Sequence, residues 1–134
     1  VLHSEFNPSQ ESDLHLYQIW LLPEAAGLEP GYEELVPTPA EVDGRWRVVA
    51  SRDGRDGSMA IHQDVSIHVA RIPAGTQLDY AIDPARHAWI QVVRGAVDVN
   101  GTAADTSDGV AVDHESRLAL SAREDAEVLL FDLA

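Results

Sequence analysis

The sequence predicts an all-β protein, an antiparallel sandwich or barrel with little helix. Roughly ten short segments rich in β-branched and aromatic residues recur at spacings of about 8–12 residues, separated by Gly, Pro and Asp. The clearest signal is His87–Gly101, in which the strand-length run Trp89–Val93 precedes the hairpin-turn dipeptide Asn100-Gly101. Helical periodicity is nearly absent along the chain. Together these features favour stacked sheets over a helical architecture.

The first apolar segment, Leu14–Leu22, is nearly continuous and ends at a proline, a residue that cannot extend a β-ladder. We expect a central strand that is buried on both faces, where the polar Gln18 needs a hydrogen-bond partner. Prolines and acids are scattered through residues 24–43, which predicts an extended surface segment. The pattern permits short turns of helix at Pro23–Leu28 and Tyr32–Leu35.

Alternation of apolar and polar residues predicts the strands that follow. They are Arg45–Ala50, Met59–His62, Val65–Ile72, Thr76–Ile82, Trp89–Val93, Ala96–Val99, Val110–Val112, Arg117–Ser121 and Ala126–Leu133. Within Val65–Ile72 the apolar Val65, Ile67 and Val69 alternate with Ser66, His68 and Ala70, so we expect one buried face and one solvated face, the latter with His68. The expected core residues are Leu16, Ile19, Val69, Leu78, Trp89, Val92, Val97, Leu118, Leu130 and Phe131.

The composition limits the classes of protein to which the chain can belong. With 134 residues the chain is long enough for one hydrophobic core but not for two. The formal net charge of −14, with nine Arg and no Lys, argues against nucleic acid and anionic membranes as partners. The chain has no cysteine, so a cytoplasmic location is the simplest expectation, and no apolar run approaches the ~18 residues of a membrane helix. The chain opens with Val1 and not with Met, so we expect the natural protein to continue upstream.

The first candidate site is the pair His3 and Glu5, which lie two positions apart. In a strand both side chains would project to the same face, because side-chain direction alternates with period two. An imidazole and a carboxylate on one face are half of a mononuclear metal site with mixed nitrogen and oxygen ligands. The same spacing also fits a solvated strand end, and these two residues alone leave both interpretations open.

Longer motifs resemble those of pirin-like proteins. They are His3-Ser4-Glu5, Leu14–Glu24, Pro30–Glu33, Asp56–Ser58, His62–Asp64, Trp89–Gly95, Asn100-Gly101, Ser107–Gly109 and Glu127–Asp132. The motifs from Asp56 onward are similar to the bacterial branch of the family, some members of which are quercetin dioxygenases. Because the motifs span essentially the whole chain, it is identified as a member of this family.

The resemblance implies a bicupin, in which two cupin barrels follow each other and each is a jelly roll, or double-stranded β-helix. In this family the N-terminal barrel holds one metal through a His-x-His pair and a later His-Ser-Glu segment. Here the second pair is present as His3 and Glu5, and the first would lie upstream of Val1. The resemblance therefore implies that residues 1–13 end the metal-bearing barrel and that residues 14–134 form the C-terminal cupin barrel.

The C-terminal barrel itself is expected to hold no metal. A cupin site needs His-x-His on one strand, and the matching stretch Thr76–Gly95 has His87 as its sole histidine. His-x-His occurs nowhere in the sequence. We therefore expect the isolated chain to bind no transition metal tightly and to be non-catalytic. In the intact protein the resemblance implies a mononuclear divalent metal of the iron, copper or zinc class.

Other candidate residues have structural explanations. The segment His62-Gln63-Asp64 either lines a pocket that faces the missing barrel or is a polar loop between two strands. His68 and His114 are expected at solvated positions, and Gln91 is expected to be a core amide with satisfied hydrogen bonds. The three tryptophans are expected in the core or at an interface, and they are Trp20, Trp46 and Trp89.

The resemblance implies two alternative functions. The intact protein is expected to be a metal-dependent dioxygenase of a flavonol such as quercetin, with Glu5 as the base that accepts a substrate proton. The alternative is a regulatory protein of the pirin type, in which the metal tunes an interaction surface. In either case Leu14–Leu22 is expected along the interface with the missing barrel. In the isolated chain this segment would expose Trp20 and favour a weak homodimer.

Overall fold

The structure, a computed structural model, describes residues 3–134, so residues 1 and 2 of the predicted barrel end lie outside it. Within the described chain the strands are β1 (Arg47–Ser51), β2 (Met59–Ala60), β3 (Val65–Ile72), β4 (Gln77–Ala81), β5 (His87–Arg94), β6 (Ala96–Val99), β7 (Thr102–Asp105), β8 (Gly109–Asp113), β9 (Arg117–Ala122) and β10 (Ala126–Leu133). Its helical elements are α1 (Pro39–Val42) and a three-residue 3₁₀ turn at Arg55–Gly57. The prediction of an all-β protein with little helix is therefore confirmed.

Two sheets pack face to face. Sheet A has the strand order β2-β1-β3-β10-β5-β8, and sheet B has the order β4-β9-β6-β7. The pairs are antiparallel except for β1 with β2. Strands that are far apart in the sequence lie side by side, since β3 and β10 pair along the whole length of both strands. This interleaving of distant strands is the jelly-roll arrangement expected of a cupin.

The predicted turn Asn100-Gly101 joins β6 to β7. Val99 lies opposite Thr102 across this two-residue turn. The φ angles are +47° at Asn100 and +83° at Gly101, and a tight hairpin of this type requires positive values at both positions. The Asn100 side chain also fixes the hairpin on β9, because its oxygen accepts a 2.8 Å hydrogen bond from the Ala119 amide. Strand β7 itself is not among the predicted strands, since its four residues carry little apolar alternation.

The main core lies between the two sheets. Its fully buried large side chains are Ile72, Ile90, Val92, Val97, Val99, Leu118, Leu120, Val128 and Leu130. Four predicted core residues, Val92, Val97, Leu118 and Leu130, are among them. Leu78 is half-buried and packs against the same cluster. The central packing was therefore predictable from the strand alternation.

A second apolar cluster covers the outer face of sheet A. It is formed by Ala50, Val65, Ile67 and Phe131, with the half-buried Leu21, Val49, Met59, Ile61, Leu129 and Leu133 packed against them. The predicted core residue Phe131 belongs here, and Val69 is half-buried. Strand β3 is thus buried on both faces, as its burial pattern shows along nearly its whole length. The prediction of a solvated face on this strand is wrong, because the face with Ser66, His68 and Ala70 packs against sheet B. The chain before β1 covers the opposite face through Leu21.

The segment Leu14–Leu22 is not the predicted central strand. Within residues 3–134 it has no regular secondary structure and lies outside both sheets. Leu16 and Ile19 keep 46% and 43% of their surface exposed, so their prediction as core residues is wrong. Trp89 is also 40% exposed, because its side chain projects from the outer face of sheet A. A continuous apolar run does not show which surfaces are available to cover it.

The helical turns permitted at Pro23–Leu28 and Tyr32–Leu35 do not form. Helix α1 begins instead at Pro39, a residue suited to the first turn of a helix. The Glu41 carboxylate accepts hydrogen bonds from the backbone amide and the hydroxyl of Thr38, at 2.8 and 2.7 Å. No helix within residues 3–134 has the length and apolar character to cross a membrane.

Candidate functional site

His3 and Glu5 project to the same side of the N-terminal segment. His3 Nε2 lies 3.8 Å from Glu5 Oε1, and both side chains are about half exposed, at 57% and 48%. Donor atoms of a tetrahedral zinc site with bond lengths near 2.1 Å are separated by roughly 3.4 Å. A small rotation of either side chain would close the difference. The pair therefore fits two positions in the coordination shell of one metal.

The described chain does not bring further ligands to this pair. In residues 3–134 no three His, Cys, Asp or Glu side chains are grouped so that they could hold a metal ion. A metal held by His3 and Glu5 would thus need ligands from outside this part of the molecule. A His-x-His pair upstream of Val1 stays a prediction.

Gln18 lies beside the His3–Glu5 pair. Its amide nitrogen is 3.5 Å from His3 Nε2, which is the outer limit of a hydrogen bond. The prediction that Gln18 is buried is wrong, since the residue is exposed, and its side chain has His3 as its hydrogen-bond neighbour. The contact brings Leu14–Leu22 next to the candidate metal ligands, since it joins residues fifteen positions apart.

An aromatic groove of about 380 Å³ opens between the N-terminal segment and the outer face of sheet A. One side is formed by residues Tyr17–Leu21, and the other by Trp89, Gln91, Leu129, Phe131 and Leu133. The Trp89 ring lies against Gly109, since a Cβ atom built at that glycine would overlap the indole. Gln91 donates 3.1 Å hydrogen bonds to the carbonyl oxygens of Ser107 and Asp108, so its amide is satisfied as predicted. Its predicted place in the core is wrong, because the residue is half-buried and lines this groove.

A second group of polar side chains, the inner polar cluster, lies between the sheets. It consists of Ser66, His68, Tyr80, Arg86 and Asp132. The Tyr80 hydroxyl donates to Asp132 Oδ2 at 2.8 Å and lies 3.2 Å from His68 Nε2. Arg86 Nε donates to the other oxygen of the Asp132 carboxylate at 2.5 Å. The buried carboxylate is therefore paired with a cation and hydrogen-bonded, which offsets the cost of its desolvation.

Burial sets the protonation states within this cluster. Loss of solvent, together with the positive charge of Arg55, lowers the pKa of His68 to about 4 against the opposing effect of the Asp132 carboxylate. Burial raises the pKa of Tyr80 to about 12, and its hydrogen bond to Asp132 acts in the same direction. At neutral pH the imidazole is thus neutral and the phenol protonated. Trp46 contacts both rings edge-on, with centroid distances of 6.5 Å to His68 and 6.0 Å to Tyr80.

The prediction that His68 is solvated is wrong, because β3 is covered on both faces and only 8% of this residue is exposed. His114 is exposed as predicted. Sequence reasoning missed the inner polar cluster as a unit. The signal that could have found it is Asp132, an acidic residue within the apolar run Ala126–Leu133, since a buried carboxylate needs a partner.

The loop His62-Gln63-Asp64 ties the N-terminal segment to the sandwich. The Gln63 amide donates to the Leu22 carbonyl oxygen at 2.5 Å, and the His62 carbonyl oxygen accepts from the Glu24 amide at 2.8 Å. Asp64 accepts a 3.0 Å hydrogen bond from Arg86. These contacts support the interpretation of a polar loop between two strands. A pocket between this loop and another barrel stays a prediction.

Known proteins resemble this chain closely. Residues 48–133 match the family described as quercetinase C-terminal cupin domain. Quercetin 2,3-dioxygenase of Escherichia coli (strain K12) is 44% identical over 133 residues, which are 99% of this chain and 56% of that protein. A pirin-like protein of Caulobacter vibrioides is 28% identical over 135 residues, which are 100% of this chain and 58% of that protein.

The fold also matches a solved structure. Bacterial pirin YhhW from Escherichia coli, in complex with nickel(II), superposes with a TM-score of 0.77 at 41% identity. The match covers 83% of this chain and 47% of that one. The chain thus spans about half the length of the proteins it matches. Both barrel architecture and sequence agree with the motifs of the pirin-like proteins, and the chain belongs to the family of quercetinase C-terminal cupin domains.

Proposed function

We propose that the intact protein is a metal-dependent dioxygenase of a flavonol such as quercetin, and that this chain is its C-terminal half. The observation that best supports this proposal is the 3.8 Å distance between His3 Nε2 and Glu5 Oε1 on one side of the N-terminal segment. The relative named quercetin 2,3-dioxygenase, at 44% identity over 99% of the chain, supports the substrate class. The nickel(II) complex of a 41% identical pirin supports the presence of a divalent metal.

In this proposal the metal would be held by His3 and Glu5 together with two histidines from upstream. A bound divalent metal of the iron, copper or zinc class would polarise the substrate hydroxyl and, where it is redox-active, exchange electrons with dioxygen. The Glu5 side chain is 48% exposed next to His3, so a substrate hydroxyl can reach its carboxylate and transfer a proton to it. The C-terminal barrel itself takes no part in the chemistry and packs on the metal-bearing barrel.

The proposed domain division places residues 1–13 at the end of the N-terminal barrel and residues 14–134 in the C-terminal barrel. The family match over residues 48–133 falls entirely within the second part. A cytoplasmic location belongs to the same proposal and rests on the absence of cysteine.

A second candidate function is that of a regulatory protein whose metal tunes partner binding. The observation that favours it is the exposure of large apolar side chains, 84% for Trp20 and 82% for Leu22. Patches of this kind mark interaction surfaces. The two candidates differ in whether the metal-loaded protein consumes dioxygen.

Oxygen uptake with quercetin tests the proposed reaction on the polypeptide that extends upstream of Val1. The iron- or copper-loaded protein should consume dioxygen, and His3→Ala and Glu5→Ala should each abolish that consumption and the retention of metal. His114→Ala is the matched control, because it removes an exposed histidine that lies outside the candidate site. A metal-loaded protein that leaves quercetin and dioxygen unchanged would contradict the dioxygenase and favour the regulatory function.

A further inference from the structure

The aromatic groove has a histidine–aspartate pair at one end. His87 lies directly opposite Leu133, a residue that lines the groove, and two positions before Trp89 on β5. Because side chains two positions apart on a strand share a face, the imidazole borders the groove on the outer face of sheet A. His87 Nδ1 is 2.5 Å from Asp113 Oδ1 on the edge strand β8. The two side chains are 52% and 57% exposed, so a ligand in the groove can reach the imidazole.

The pairing with Asp113 sets the hydrogen-bonding role of the imidazole. An ionised carboxylate only accepts hydrogen bonds, so the hydrogen that joins the two side chains is carried by His87 Nδ1. In the neutral ring the other nitrogen is then an acceptor. Within residues 3–134, His87 Nε2 has no hydrogen-bond partner. The groove is therefore bordered by an unused acceptor whose tautomer is fixed by a neighbouring acid.

Gln91, the polar residue among the groove residues of sheet A, also offers an acceptor. Its amide nitrogen donates to the carbonyl oxygens of Ser107 and Asp108, which uses its donors. Its Oε1 atom is 3.4 Å from Trp89 Nε1, a long contact that leaves one lone pair of the oxygen available. Within the described chain, the side chains on the sheet side thus present two acceptors and no donor that lacks a partner.

The walls of the groove suit a flat ring. Trp89 and Phe131 are directly opposite each other on β5 and β10, and Tyr17 and Trp20 lie on the side of the N-terminal segment. The contact with Gly109 fixes the Trp89 indole, because any larger residue at that position would displace it. Aromatic rings pack offset or edge-to-face against walls of this kind. The volume of about 380 Å³ is typical of a small-molecule site.

We propose that this groove binds an uncharged planar aromatic compound that carries a hydrogen-bond donor on its ring edge, the class to which phenols belong. The ring would lie between Trp89 and the N-terminal segment, and its hydroxyl would donate to His87 Nε2. A compound without a donor would leave this acceptor unpaired. An anion is disfavoured, because the chain has a net charge of −14 and the Asp113 carboxylate lies beside the acceptor. The site uses none of the proposed metal ligands, so it goes beyond the proposed function, in which the C-terminal barrel only packs on its neighbour.

Three related probes test the requirement for a donor. Naphthol carries a hydroxyl, methoxynaphthalene has no donor, and naphthoate is an anion, and all three are substituted at the same ring position. Equilibrium dialysis measures their binding to the 134-residue chain at a protein concentration at which it is monomeric. We expect naphthol to bind about 10-fold more tightly than either of the others. Equal affinity for methoxynaphthalene would overturn the role of His87, and tighter binding of naphthoate would show that the imidazole acts as a cation.

Two variants assign the binding to the histidine and to the groove. His87→Ala should lower the affinity for naphthol by about 10-fold and leave that for methoxynaphthalene unchanged, a difference that a general loss of structure would not produce. Trp89→Leu should weaken the binding of all three probes. His114→Ala is the matched control, because it removes an exposed histidine that is not among the groove residues. A His87→Ala chain that binds naphthol as the parent does would overturn the inference.

The metal-free polypeptide that extends upstream of Val1 provides the last test. It should rank the three probes in the same order, and His87→Ala should again weaken the binding of naphthol. A longer polypeptide that binds none of the probes would overturn the inference, since its upstream half would then cover the groove. Because these measurements involve neither metal nor dioxygen, failure of the groove to bind is distinguishable from failure of the proposed dioxygenase reaction.

Discussion

The Tyr80 hydroxyl donates a 2.8 Å hydrogen bond to Asp132 Oδ2, and so joins the edge strand of sheet B to a central strand of sheet A. Arg86 holds the other oxygen of the same carboxylate. This contact spans the space between the two sheets, where the polar side chains of the inner polar cluster hydrogen-bond to one another.

Removal of the Tyr80 hydroxyl should destabilise the sandwich. In Tyr80→Phe the buried Asp132 carboxylate loses one donor, at an expected cost of about 1–3 kcal/mol in the free energy of unfolding. Urea unfolding of the 134-residue chain measures the loss. Tyr32→Phe is the matched control, since that tyrosine is 82% exposed and its removal should cost little. Equal stability of the two variants would show that the Tyr80–Asp132 contact contributes nothing.

Stability should fall as the solution becomes acidic, with a component that belongs to His68. Its folded-state pKa of about 4 lies below the ordinary value of 6.5, so between these values the unfolded chain binds a proton that the folded chain does not. The contribution is fully present above pH 6.5 and is lost as pH falls toward 4. From pH 7 to pH 5 the loss is about 2 kcal/mol.

Urea unfolding at several pH values isolates this component by comparison of variants. His68→Gln should lose less stability between pH 7 and pH 5 than the parent chain, because it has no imidazole to protonate. His114→Gln should follow the parent, since His114 is exposed. A His68→Gln chain with the same pH dependence as the parent would mean that the imidazole is not buried in its neutral form.

Two glycines with positive φ should differ sharply when replaced by alanine. Gly95 has φ +80°, and a Cβ atom there would overlap the Asp125 carbonyl oxygen and lie 2.7 Å from Ala126 Cα. Gly101 has φ +83° but open space around the same position. Gly101→Ala should therefore cost about 1 kcal/mol from backbone strain, and Gly95→Ala several times that amount. If urea unfolding showed similar losses of unfolding free energy in Gly95→Ala and Gly101→Ala, the chain at the end of β5 would move away from the start of β10 at little cost.

The isolated chain should form a weak homodimer through the exposed side chains of Leu14–Leu22. Burial of Trp20 and its apolar neighbours favours association, and the net charge of −14 opposes it. Added salt should strengthen the dimer by screening this repulsion. Light scattering over a range of protein and salt concentrations measures the effect, with Trp20→Glu as the variant that should abolish it. A monomer of 14.6 kDa under every condition would contradict the prediction.

The hairpin and the main core were predictable because their determinants are local. The Asn100-Gly101 turn needs two positive φ angles, which these residue types adopt readily. Alternating residues such as Val97 and Leu118 face the opposite sheet once the strands form. Pairing of β3 with β10 follows from the fold as a whole, since residues more than fifty positions apart meet along those strands.

The wrong predictions of burial for Leu14–Leu22 and β3 have one physical origin. Hydrophobicity shows that a surface needs cover but does not show what covers it. Leu14–Leu22 was expected at the centre of a sheet, and in residues 3–134 it lies outside both sheets without a strand partner. The side of β3 that carries Ser66, His68 and Ala70 was expected to be solvated, and it is buried because sheet B packs against it. Only tertiary contacts decide such cases, as they do for the burial of His68.

The central claim is that His3 and Glu5 are two ligands of a metal whose other ligands lie upstream. Metal content after dialysis, measured by atomic emission, tests it most directly. The polypeptide that extends upstream of Val1 should retain one divalent metal per chain and lose it in His3→Ala, whereas the 134-residue chain should retain none. Stoichiometric metal in the 134-residue chain, or metal that survives His3→Ala in the longer polypeptide, would contradict the account.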